Sequence, residues 1–370
     1  MKLLFAIKRL ANAAGGAERV LCTVCSGLAA RGHEVYIVTF DSPGGQPFYA
    51  LDARIKRIDL EIGNSLKPAG ILETLKRMKA LRQIALSEQP DIAIGFMHSM
   101  FIPMAFALAG TGIPTLGSEH IVPEHYRTRR FEFFLLIIAT RLLKKITVLS
   151  TAIRSTYPDS VMAKMVVMPN PVHKPSDQRK KTSNENQRIL LNVSRLDRQK
   201  DQATLIKAFA KIADEFPDWQ LRIVGNGPLR NELEELVEES GLVNRVVLPG
   251  ITSDIDSEYL AADIFVISSI YEAFGLVTAE AMSHGLPVVG FADCPGTNEL
   301  VQHGTTGILV NSKKDRIKEL ATALSDLIKN PALQEQLGLA GIKAIDKSFS
   351  SEQVCSHWEN LLISTTRTKV

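Results

Sequence analysis

The 370-residue sequence lacks several features that would assign it to a specialised class of protein. Its 4 cysteines give no disulfide framework of the kind that holds small secreted domains together. Its longest apolar run, FFLLIIA at 133–139, is far shorter than the roughly 20 residues of a membrane-spanning helix. The apolar stretch at its start is too short for a signal peptide. We therefore expect a cytoplasmic chain, and the length suggests two domains.

Two of the cysteines, Cys22 and Cys25, have a C-x-x-C spacing that also occurs in redox and metal sites. They lie in a segment of helical periodicity whose apolar face would contain both thiols. A zinc site needs a second pair of Cys or His ligands, and the sequence nearby supplies none. We therefore predict that both thiols are packed in a core.

Charge is unevenly distributed along the chain, although the net formal charge is only +3. Residues 1–175 carry a net charge of +9, and the remaining residues carry −6. A basic first part suits anionic lipid, phosphate or nucleic acid. The sequence has no helix-turn-helix, zinc-finger or RNP-type signature, which argues against nucleic acid.

Short apolar runs alternate with helix-length amphipathic segments twice along the chain, a pattern typical of βαβ units and parallel sheets. We predict a Rossmann-like domain over 1–172, an exposed linker over 173–187 and a second such domain over 188–349. A C-terminal helix over 350–370 is expected to complete the first domain. Because ligands bind beyond the carboxyl ends of parallel strands, we expect the two doubly wound α/β domains to face each other across a cleft.

Gly15 and Gly16 lie directly between the first predicted strand and the first predicted helix. Glycines let the backbone approach a ligand, and the free N–H groups of a helix start attract phosphate. An ordinary strand-to-helix turn explains the same residues. A second motif, GNG at 225–227, resembles a dinucleotide site, but Arg230 stands where a small residue is needed, which argues against a nicotinamide cofactor.

Arg195 and Lys200 lie in a predicted strand-to-helix loop of the second domain. Asp201 or nearby polar groups can cap the helix that follows. Two cations beside free helix N–H groups are well placed to hold a diphosphate. Ordinary surface charge is the alternative explanation.

The segment SSIYEAFGLVTAEAMSHG places two carboxylates, Glu272 and Glu280, in apolar surroundings. A buried carboxylate costs several kcal/mol unless it is paired, and the sequence shows no obvious partner, so we expect a ligand to pair with each. Phe274, Gly275 and Leu276 are predicted to form a helix start at which phosphate binds. Glu272 would then face sugar hydroxyl groups, and Glu280 would face a ribose.

The two glutamates have the spacing of an E-x₇-E motif, and the sequence here resembles the retaining glycosyltransferases of family 4, which have the two-domain GT-B fold. The resemblance spans nearly the whole chain, and the order and spacing of its motifs are more specific than any one of them. The motifs are GGAER at 15–19, SEH at 118–120, SRLDRQK at 194–200, GNGPLR at 225–230, EAFGLVTAEAMSHGLPVV at 272–289 and GTNELVQHGTTGILV at 296–310.

The resemblance implies roles for residues of the second domain. Arg195 and Lys200 would neutralise the diphosphate of a UDP-sugar, Glu272 would hold the hydroxyls of the donor sugar, and Glu280 would bind the ribose. The reaction would occur at the front face of the sugar with the leaving phosphate helping to deprotonate the acceptor, so no nucleophile is named. No metal and no cofactor would be needed, and we interpret the D-x-D at 254–256 as a helix cap.

The resemblance also implies roles for the first domain. His120 would lie near the donor sugar, with a core histidine as the alternative. The loop containing Gly15 and Gly16 would close near the diphosphate or the acceptor.

Five cations flank an apolar, aromatic stretch of the first domain and suit an anionic membrane surface or a polyprenol-linked diphosphate. They are Arg127, Arg129, Arg130, Lys144 and Lys145. A core helix with charged ends is the alternative.

We therefore predict a retaining transferase, bound peripherally to the inner face of the cytoplasmic membrane. It would move a hexose or N-acetylhexosamine from a UDP-sugar to a lipid-linked saccharide during surface polysaccharide or glycan assembly. A non-catalytic sugar-nucleotide sensor or scaffold and a UDP-sugar epimerase of the same fold are the alternatives.

Overall fold

The computed structural model describes residues 1–13, 15–65, 67, 69–175, 187–311 and 313–367. It divides into two compact units, Met1–Pro171 with Ser351–Val370 and Val172–Ser350. Most of the predicted linker at 173–187 lies outside the described residues, because 176–186 are not among them.

The first unit is built on a parallel sheet, with strand order β3-β2-β1-β4-β5-β6-β7 among the described residues. The strands are β1 Lys2–Ala6, β2 Glu34–Thr39, β3 Lys56–Asp59, β4 Ile92–Phe96, β5 Thr115–Ser118, β6 Lys145–Val148 and β7 Met165–Val167. The apolar runs of the sequence predict five of these strands. The two edge strands, β3 and β7, are missed because the KRID segment of β3 is polar and half-buried and β7 has only three residues.

Helices cover both faces of this first sheet. They are α1 Gly16–Ala30, α2 Ile71–Glu88, α3 His98–Ala107, α4 Arg130–Leu142, α5 Thr151–Arg154 and α6 Asp159–Met162, with a 3₁₀ turn at Pro123–Tyr126 before α4. Cys22 and Cys25 are buried on α1, which confirms that their thiols are packed in the core. The right-handed crossover rule places α1 on one face of the sheet and α2, α3 and α4 on the other.

The second unit has strand order β10-β9-β8-β11-β12-β13, which is the 3-2-1-4-5-6 order of dinucleotide-binding folds. Its strands are β8 Arg188–Val193, β9 Trp219–Val224, β10 Val246–Gly250, β11 Ile264–Val266, β12 Val288–Phe291 and β13 Gly307–Val310. Both units are therefore doubly wound α/β structures with parallel sheets, and the predicted fold class of each is confirmed. The strand order of the second sheet reverses between β8 and β11, and such a switch point is where ligands bind.

The helices of the second unit alternate with these strands. They are α7 Gln202–Ala210, α8 Arg230–Glu239, α9 Ile255–Ala261, α10 Leu276–Ser283, α11 Thr297–Leu300, α12 Arg316–Ile328 and α13 Pro331–Ser348. Asp254 is the N-cap of α9 and its carboxylate accepts a hydrogen bond from the Ser257 backbone N–H at 3.1 Å. The interpretation of the D-x-D as a helix cap is therefore confirmed for Asp254.

The last helix, α14 Ser351–Arg367, belongs to the first unit and packs against α1. Trp358 of α14 stacks on Phe96 with ring centroids 5.9 Å apart. A side chain at Gly27 of α1 would collide with Cys355, so the glycine permits the two helices to approach closely. Within the described ranges, the structure contains no helix of the length and apolarity needed to cross a bilayer.

Candidate active site

The candidate site lies at the carboxyl ends of β8 and β11, the two neighbouring strands at the switch point of the second sheet. The loops that follow these strands are joined by hydrogen bonds. The Ile270 N–H donates to the Gln199 carbonyl at 2.8 Å, and the Ser268 hydroxyl donates to the Lys200 carbonyl at 2.7 Å. The two loops therefore form one continuous surface at the switch point.

The GNG motif supports this surface by letting two loops approach closely. Gly225 has a φ of 141°, and a side chain there would overlap the carbonyl oxygen of Ser194. A side chain at Gly227 would likewise overlap the carbonyl oxygen of Leu196, whose N–H bonds the Asn226 carbonyl at 3.1 Å. Loop packing therefore accounts for both glycines.

A buried carboxylate, Asp197, organises the loop after β8. It accepts hydrogen bonds from the backbone N–H of Gln199 at 3.0 Å and of Lys200 at 3.3 Å. It also accepts from Arg195 Nε at 2.6 Å, while the Arg195 side chain is 71% exposed. Asp201 occupies the N-cap position of α7, but among the described residues its side chain accepts no capping hydrogen bond. The cap predicted for Asp201 is therefore wrong.

Lys200 and Glu272 form a buried ion pair across the two loops. Lys200 Nζ lies 2.6 Å from Glu272 Oε1, and the Ser269 hydroxyl donates to the same oxygen at 2.6 Å. Glu272 is 6% exposed, and the Lys200 side chain is 16% exposed. Lys200 and Ser269 from neighbouring loops are thus protein partners of Glu272 that its own segment of the sequence does not show, and the expected ligand stays a prediction. Within the described residues, Oε2 of the same carboxylate makes no hydrogen bond.

The backbone of Glu272 is fixed by a third loop, which follows β12. Its N–H donates to the Pro295 carbonyl at 2.9 Å. Gly296 has a φ of 81°, and a Cβ there would lie 2.6 Å from the Glu272 carbonyl oxygen. Only glycine tolerates this conformation and this approach together, so Gly296 sets the position of the Glu272 loop.

Helix α10 begins beside this ion pair. Gly275 is its N-cap and has the left-handed φ and ψ of 85° and 50° that favour glycine. Phe274 is buried and packs edge-on against Phe349 with centroids 5.5 Å apart, which anchors the turn. Within the described residues, no side chain caps α10, so the first N–H groups, starting at Leu276, remain available to an anion.

Glu280 lies about one turn after the start of α10 and is 5% exposed. Its Oε2 accepts a hydrogen bond from the Tyr259 hydroxyl at 2.9 Å. Tyr259 comes from α9 and is fully buried. A buried tyrosine from the preceding helix therefore pairs with Glu280, and the expected contact with a ribose stays a prediction.

In the first unit, His120 is held inside the fold at the end of β5. Its ring stacks on Phe96 with centroids 5.1 Å apart, and Nε2 lies 2.9 Å from the Ser118 hydroxyl. Thr147 donates to that hydroxyl at 2.8 Å, so the Ser118 proton is directed at Nε2. Burial lowers the pKa of His120 to about 4, which keeps the ring neutral at pH 7.

Glu119, beside His120, is a buried carboxylate that the sequence analysis did not single out. It is 1% exposed, and burial raises its pKa to about 7. The Tyr126 hydroxyl donates to it at 2.7 Å, and the backbone N–H groups of His120 and Ile121 donate at 3.0 and 3.3 Å. These donors oppose the effect of burial by favouring the charged form.

Gly15 is the N-cap of α1, and Gly16 begins that helix. The Glu18 carboxylate folds back so closely that a side chain at Gly15 would collide with it. Burial raises the pKa of Glu18. An acidic group therefore lies at the helix start where a phosphate was predicted.

The five predicted cations do not form one patch. Arg127, Arg129 and Arg130 are exposed at the start of α4, whereas Lys144 and Lys145 are exposed just beyond its end. A 13-residue helix separates the two groups by roughly 20 Å. The three arginines and the two lysines therefore lie at opposite ends of α4, and a role for them at an acceptor or a membrane surface stays a prediction.

Comparison with known protein families identifies the chain. A family model described as "Glycosyltransferase Family 4" matches residues 14–174, and one described as "Glycosyl transferases group 1" matches residues 173–344. The chain is a family 4 glycosyltransferase of the GT-B type. The two matches meet at the boundary between the compact units, so each unit corresponds to one of them.

This glycosyltransferase has relatives over its full length. A Campylobacter jejuni protein named GalNAc-alpha-(1->4)-GalNAc-alpha-(1->3)-diNAcBac-PP-undecaprenol alpha-1,4-N-acetyl-D-galactosaminyltransferase is 26% identical over 98% of this chain and 98% of its own. Sucrose-phosphate synthase from Thermosynechococcus elongatus has a TM-score of 0.83 at 22% identity, covering 100% of both chains. Anabaena Alr3699/HepE, solved with UDP and glucose, has a TM-score of 0.77 at 22% identity, covering 98% of this chain and 100% of its own. The structural likeness at these identities establishes the fold.

The structure also adds Ser269, Tyr259 and Arg316 to the candidate site at the switch point, and the sequence analysis missed all of them. Ser269 bonds Glu272 and lies three positions before it, so its hydroxyl was visible in the motif. Tyr259 and Arg316 are distant in sequence and carry no local signal. Arg316 Nη2 donates to the Ser268 carbonyl at 3.1 Å, and its guanidinium lies 3.7 Å from the Phe291 ring centroid. It therefore fixes the loop that presents Ser269.

Proposed function

We propose that this glycosyltransferase retains the configuration of the transferred sugar and uses a UDP-sugar as donor. It transfers a hexose or N-acetylhexosamine to a polyprenyl-diphosphate-linked saccharide in surface polysaccharide or glycan assembly, and the transfer step uses no metal ion or cofactor. The observation that supports this proposal most strongly is the buried pair of Lys200 and Glu272, beside the uncapped start of α10. Such a site offers positive charge to phosphate and a carboxylate oxygen to a sugar hydroxyl.

The donor assignment rests on the charges around the switch point. Lys200 offsets the negative charge of Glu272, and Arg195 and the N–H groups of α10 supply the positive field that stabilises the leaving diphosphate as charge accumulates on it. Oε1 of Glu272 is engaged by protein donors, which leaves Oε2 to accept from the donor sugar. Glu280 then accepts from the ribose. The complex of Anabaena Alr3699/HepE with UDP and glucose supports a donor of this class.

Retention follows in this proposal from attack at the front face of the sugar, with the leaving phosphate taking the acceptor proton. His120 is a weak base because burial lowers its pKa to about 4, and its Nε2 is engaged by Ser118. It therefore positions the sugar rather than removing a proton. The C. jejuni relative, whose name includes a PP-undecaprenol acceptor, supports a lipid-linked acceptor.

The test is a panel of UDP-sugars with a short polyprenyl-diphosphate glycan, assayed with and without a chelator. NMR of the product reports the anomeric configuration. Glu272→Gln and Lys200→Ala should each lower turnover by about a hundredfold or more, because both remove electrostatic stabilisation at the reacting centre. Lys207→Ala, on the exposed side of α7, is the matched control and should retain the wild-type rate. Near-normal turnover in either site variant contradicts the role given to that residue.

The same donors separate the two alternative functions. An epimerase converts a UDP-sugar to its epimer without acceptor, and a sensor binds the UDP-sugar without turnover. The proposed transferase needs both substrates for efficient turnover, so epimerised donor in the absence of acceptor contradicts the proposal.

We also propose that the first unit binds the inner face of the cytoplasmic membrane through the starts of α2 and α4. Ile71 and Leu72 on α2 are 82% and 77% exposed, and Phe131 and Phe134 on α4 are 71% and 56% exposed. Exposed arginines precede the α4 rings, at 127, 129 and 130. Apolar side chains beside cations suit an anionic lipid surface.

Co-sedimentation with liposomes containing anionic phospholipid at physiological salt tests the membrane proposal. The double variant Phe131→Ser/Phe134→Ser should reduce the bound fraction. Val243→Ser, which removes an exposed apolar residue from the second unit, should not change it. Wild-type protein that stays in solution overturns the proposal.

A further inference from the structure

Two histidines and a glutamate of the first unit converge outside the donor site. His98 begins α3, His125 lies in the 3₁₀ turn, and Glu132 is on the first turn of α4. Their candidate ligand atoms all lie within 4.8 Å of one another. Oε2 of Glu132 is 3.9 Å from His98 Nε2 and 4.0 Å from His125 Nε2. Three chain segments thus direct metal-binding atoms at one point.

The backbone before His98 is held in an unfavourable conformation. Met97 has φ and ψ of 69° and 147°, a region that residues other than glycine rarely occupy and that costs about 1–3 kcal/mol. Its N–H donates to the Ser118 carbonyl at 2.9 Å, and its carbonyl accepts from the N–H of Phe101 at 2.9 Å. The fold therefore maintains a strained turn immediately before His98, which fixes the direction in which the imidazole leaves α3.

The surroundings of the cluster favour a cation over an anion. The buried Glu119 carboxylate lies behind His98, with Oε1 4.0 Å from Nδ1. A carboxylate behind a histidine is the arrangement that orients metal-binding imidazoles. His98 Nδ1 and His125 Nε2 are buried and, within the described residues, have no hydrogen-bond partner. Arg129 Nη1 donates to Glu132 Oε1 at 3.2 Å and, at the longer distance of 3.5 Å, to Oε2, which is the oxygen nearer the imidazoles.

We propose that His98, His125 and Glu132 bind one divalent transition-metal cation, with Zn²⁺ as the best match. Two imidazoles and one carboxylate are a ligand set that suits zinc and leaves a fourth position open. Ligand atoms around tetrahedral zinc lie roughly 3.3 Å apart, given bonds of about 2.0–2.1 Å. The separations of 3.9 and 4.0 Å between Glu132 Oε2 and the two imidazole nitrogens exceed that value by about 0.6–0.7 Å. The ion joins α3, the 3₁₀ turn and α4, the elements next to the loop of His120.

Zinc titration of the chelator-treated, full-length protein against a chromophoric indicator tests this site. The wild type should bind one equivalent of Zn²⁺, and His98→Ala and His125→Ala should each weaken binding by about tenfold or more. His357→Ala, an exposed histidine of α14 in the same unit, is the matched control and should bind as the wild type does. The buried cysteines should not compete for the ion.

A second variant should increase the affinity for zinc instead of decreasing it. Arg129→Gln removes the cation that repels the metal and competes for Glu132, so it should tighten zinc binding. If the histidines only supported the fold, this variant would not gain affinity for zinc.

Circular dichroism establishes that each variant is folded. In the wild type, Co²⁺ should give the visible absorption of a low-coordinate site, and Zn²⁺ should abolish it. Absence of saturable Zn²⁺ binding by the wild type overturns the proposal. Equal binding by the folded His98→Ala/His125→Ala double variant does the same.

Discussion

The buried pair of Lys200 and Glu272 should stabilise the second unit, and Glu272→Gln tests this. The variant leaves the Lys200 ammonium, now 2.6 Å from a carboxylate oxygen, without its counter-charge in a site that is 16% exposed. Removing one partner of a buried ion pair costs about 3–5 kcal/mol, and the residual exposure of Lys200 places the expected loss near about 3 kcal/mol. For a unit of this size, such a loss lowers the unfolding midpoint by about 6–12 °C.

An exposed ion pair of the same unit provides a matched control for the effect of burial on stability. Lys329 Nζ and Glu215 Oε1 are also 2.6 Å apart, but their side chains are 53% and 51% exposed. An exposed pair contributes about 0–1 kcal/mol, so Glu215→Gln should have little effect. A cycle with Lys200→Met adds a second check. The double variant lacks both charges and should be less destabilised than the sum of the single variants, by about 2–3 kcal/mol.

Fluorescence can follow the two units separately, because the chain has 2 tryptophans and each unit contains one. In a Trp358→Phe background, Trp219 on β9 reports the second unit alone. Urea unfolding in that background gives the free energy of unfolding for each variant. A Glu272→Gln loss within about 1 kcal/mol of the Glu215→Gln loss would refute the reasoning, because equal distances would then give equal contributions regardless of burial.

Three further predictions concern the supporting residues. Burial lowers the pKa of His120 from 6.5 to about 4, so the unfolded chain binds a proton first as the pH falls. The wild type should therefore lose about 2 kcal/mol of stability relative to His120→Gln between pH 7.5 and pH 5, measured by urea unfolding at each pH. Gly296→Ala should lower both stability and turnover because its Cβ would meet the Glu272 carbonyl oxygen, whereas Gly70→Ala, where the Cβ meets open space, should not affect turnover. Tyr259→Phe removes the hydroxyl donor of the buried carboxylate on α10 and should cost about 1–3 kcal/mol in the same unfolding assay.

The sequence predicts the strands and helices that are defined by the residue pattern of a single segment. Apolar runs define the central strands, because a strand buried on both faces must be continuously apolar. The edge strand β3 escapes this signal because its residues are partly exposed and polar. Lys200 and Glu272 are both identified by their motifs, but their contact is not, because 72 residues separate them and the contact depends on the pairing of β8 with β11. Other contacts that depend on the order of the strands, and not on spacing along the sequence, could not be predicted for the same reason.

The contact between Lys200 and Glu272 resolves an electrostatic difficulty in the proposed site. A carboxylate beside a diphosphate repels it, yet Glu272 directly precedes the helix start at which the phosphates are proposed to bind. Lys200 neutralises that carboxylate at 2.6 Å, so the diphosphate meets a pair with almost no net charge instead of an anion. The positive field must then come mainly from the uncapped α10 N-terminus, together with Arg195, which is paired with Asp197 but is 71% exposed and can turn to the phosphates. In the proposed site the buried pair orients the oxygen offered to the sugar, and the helix start and Arg195 attract the phosphates.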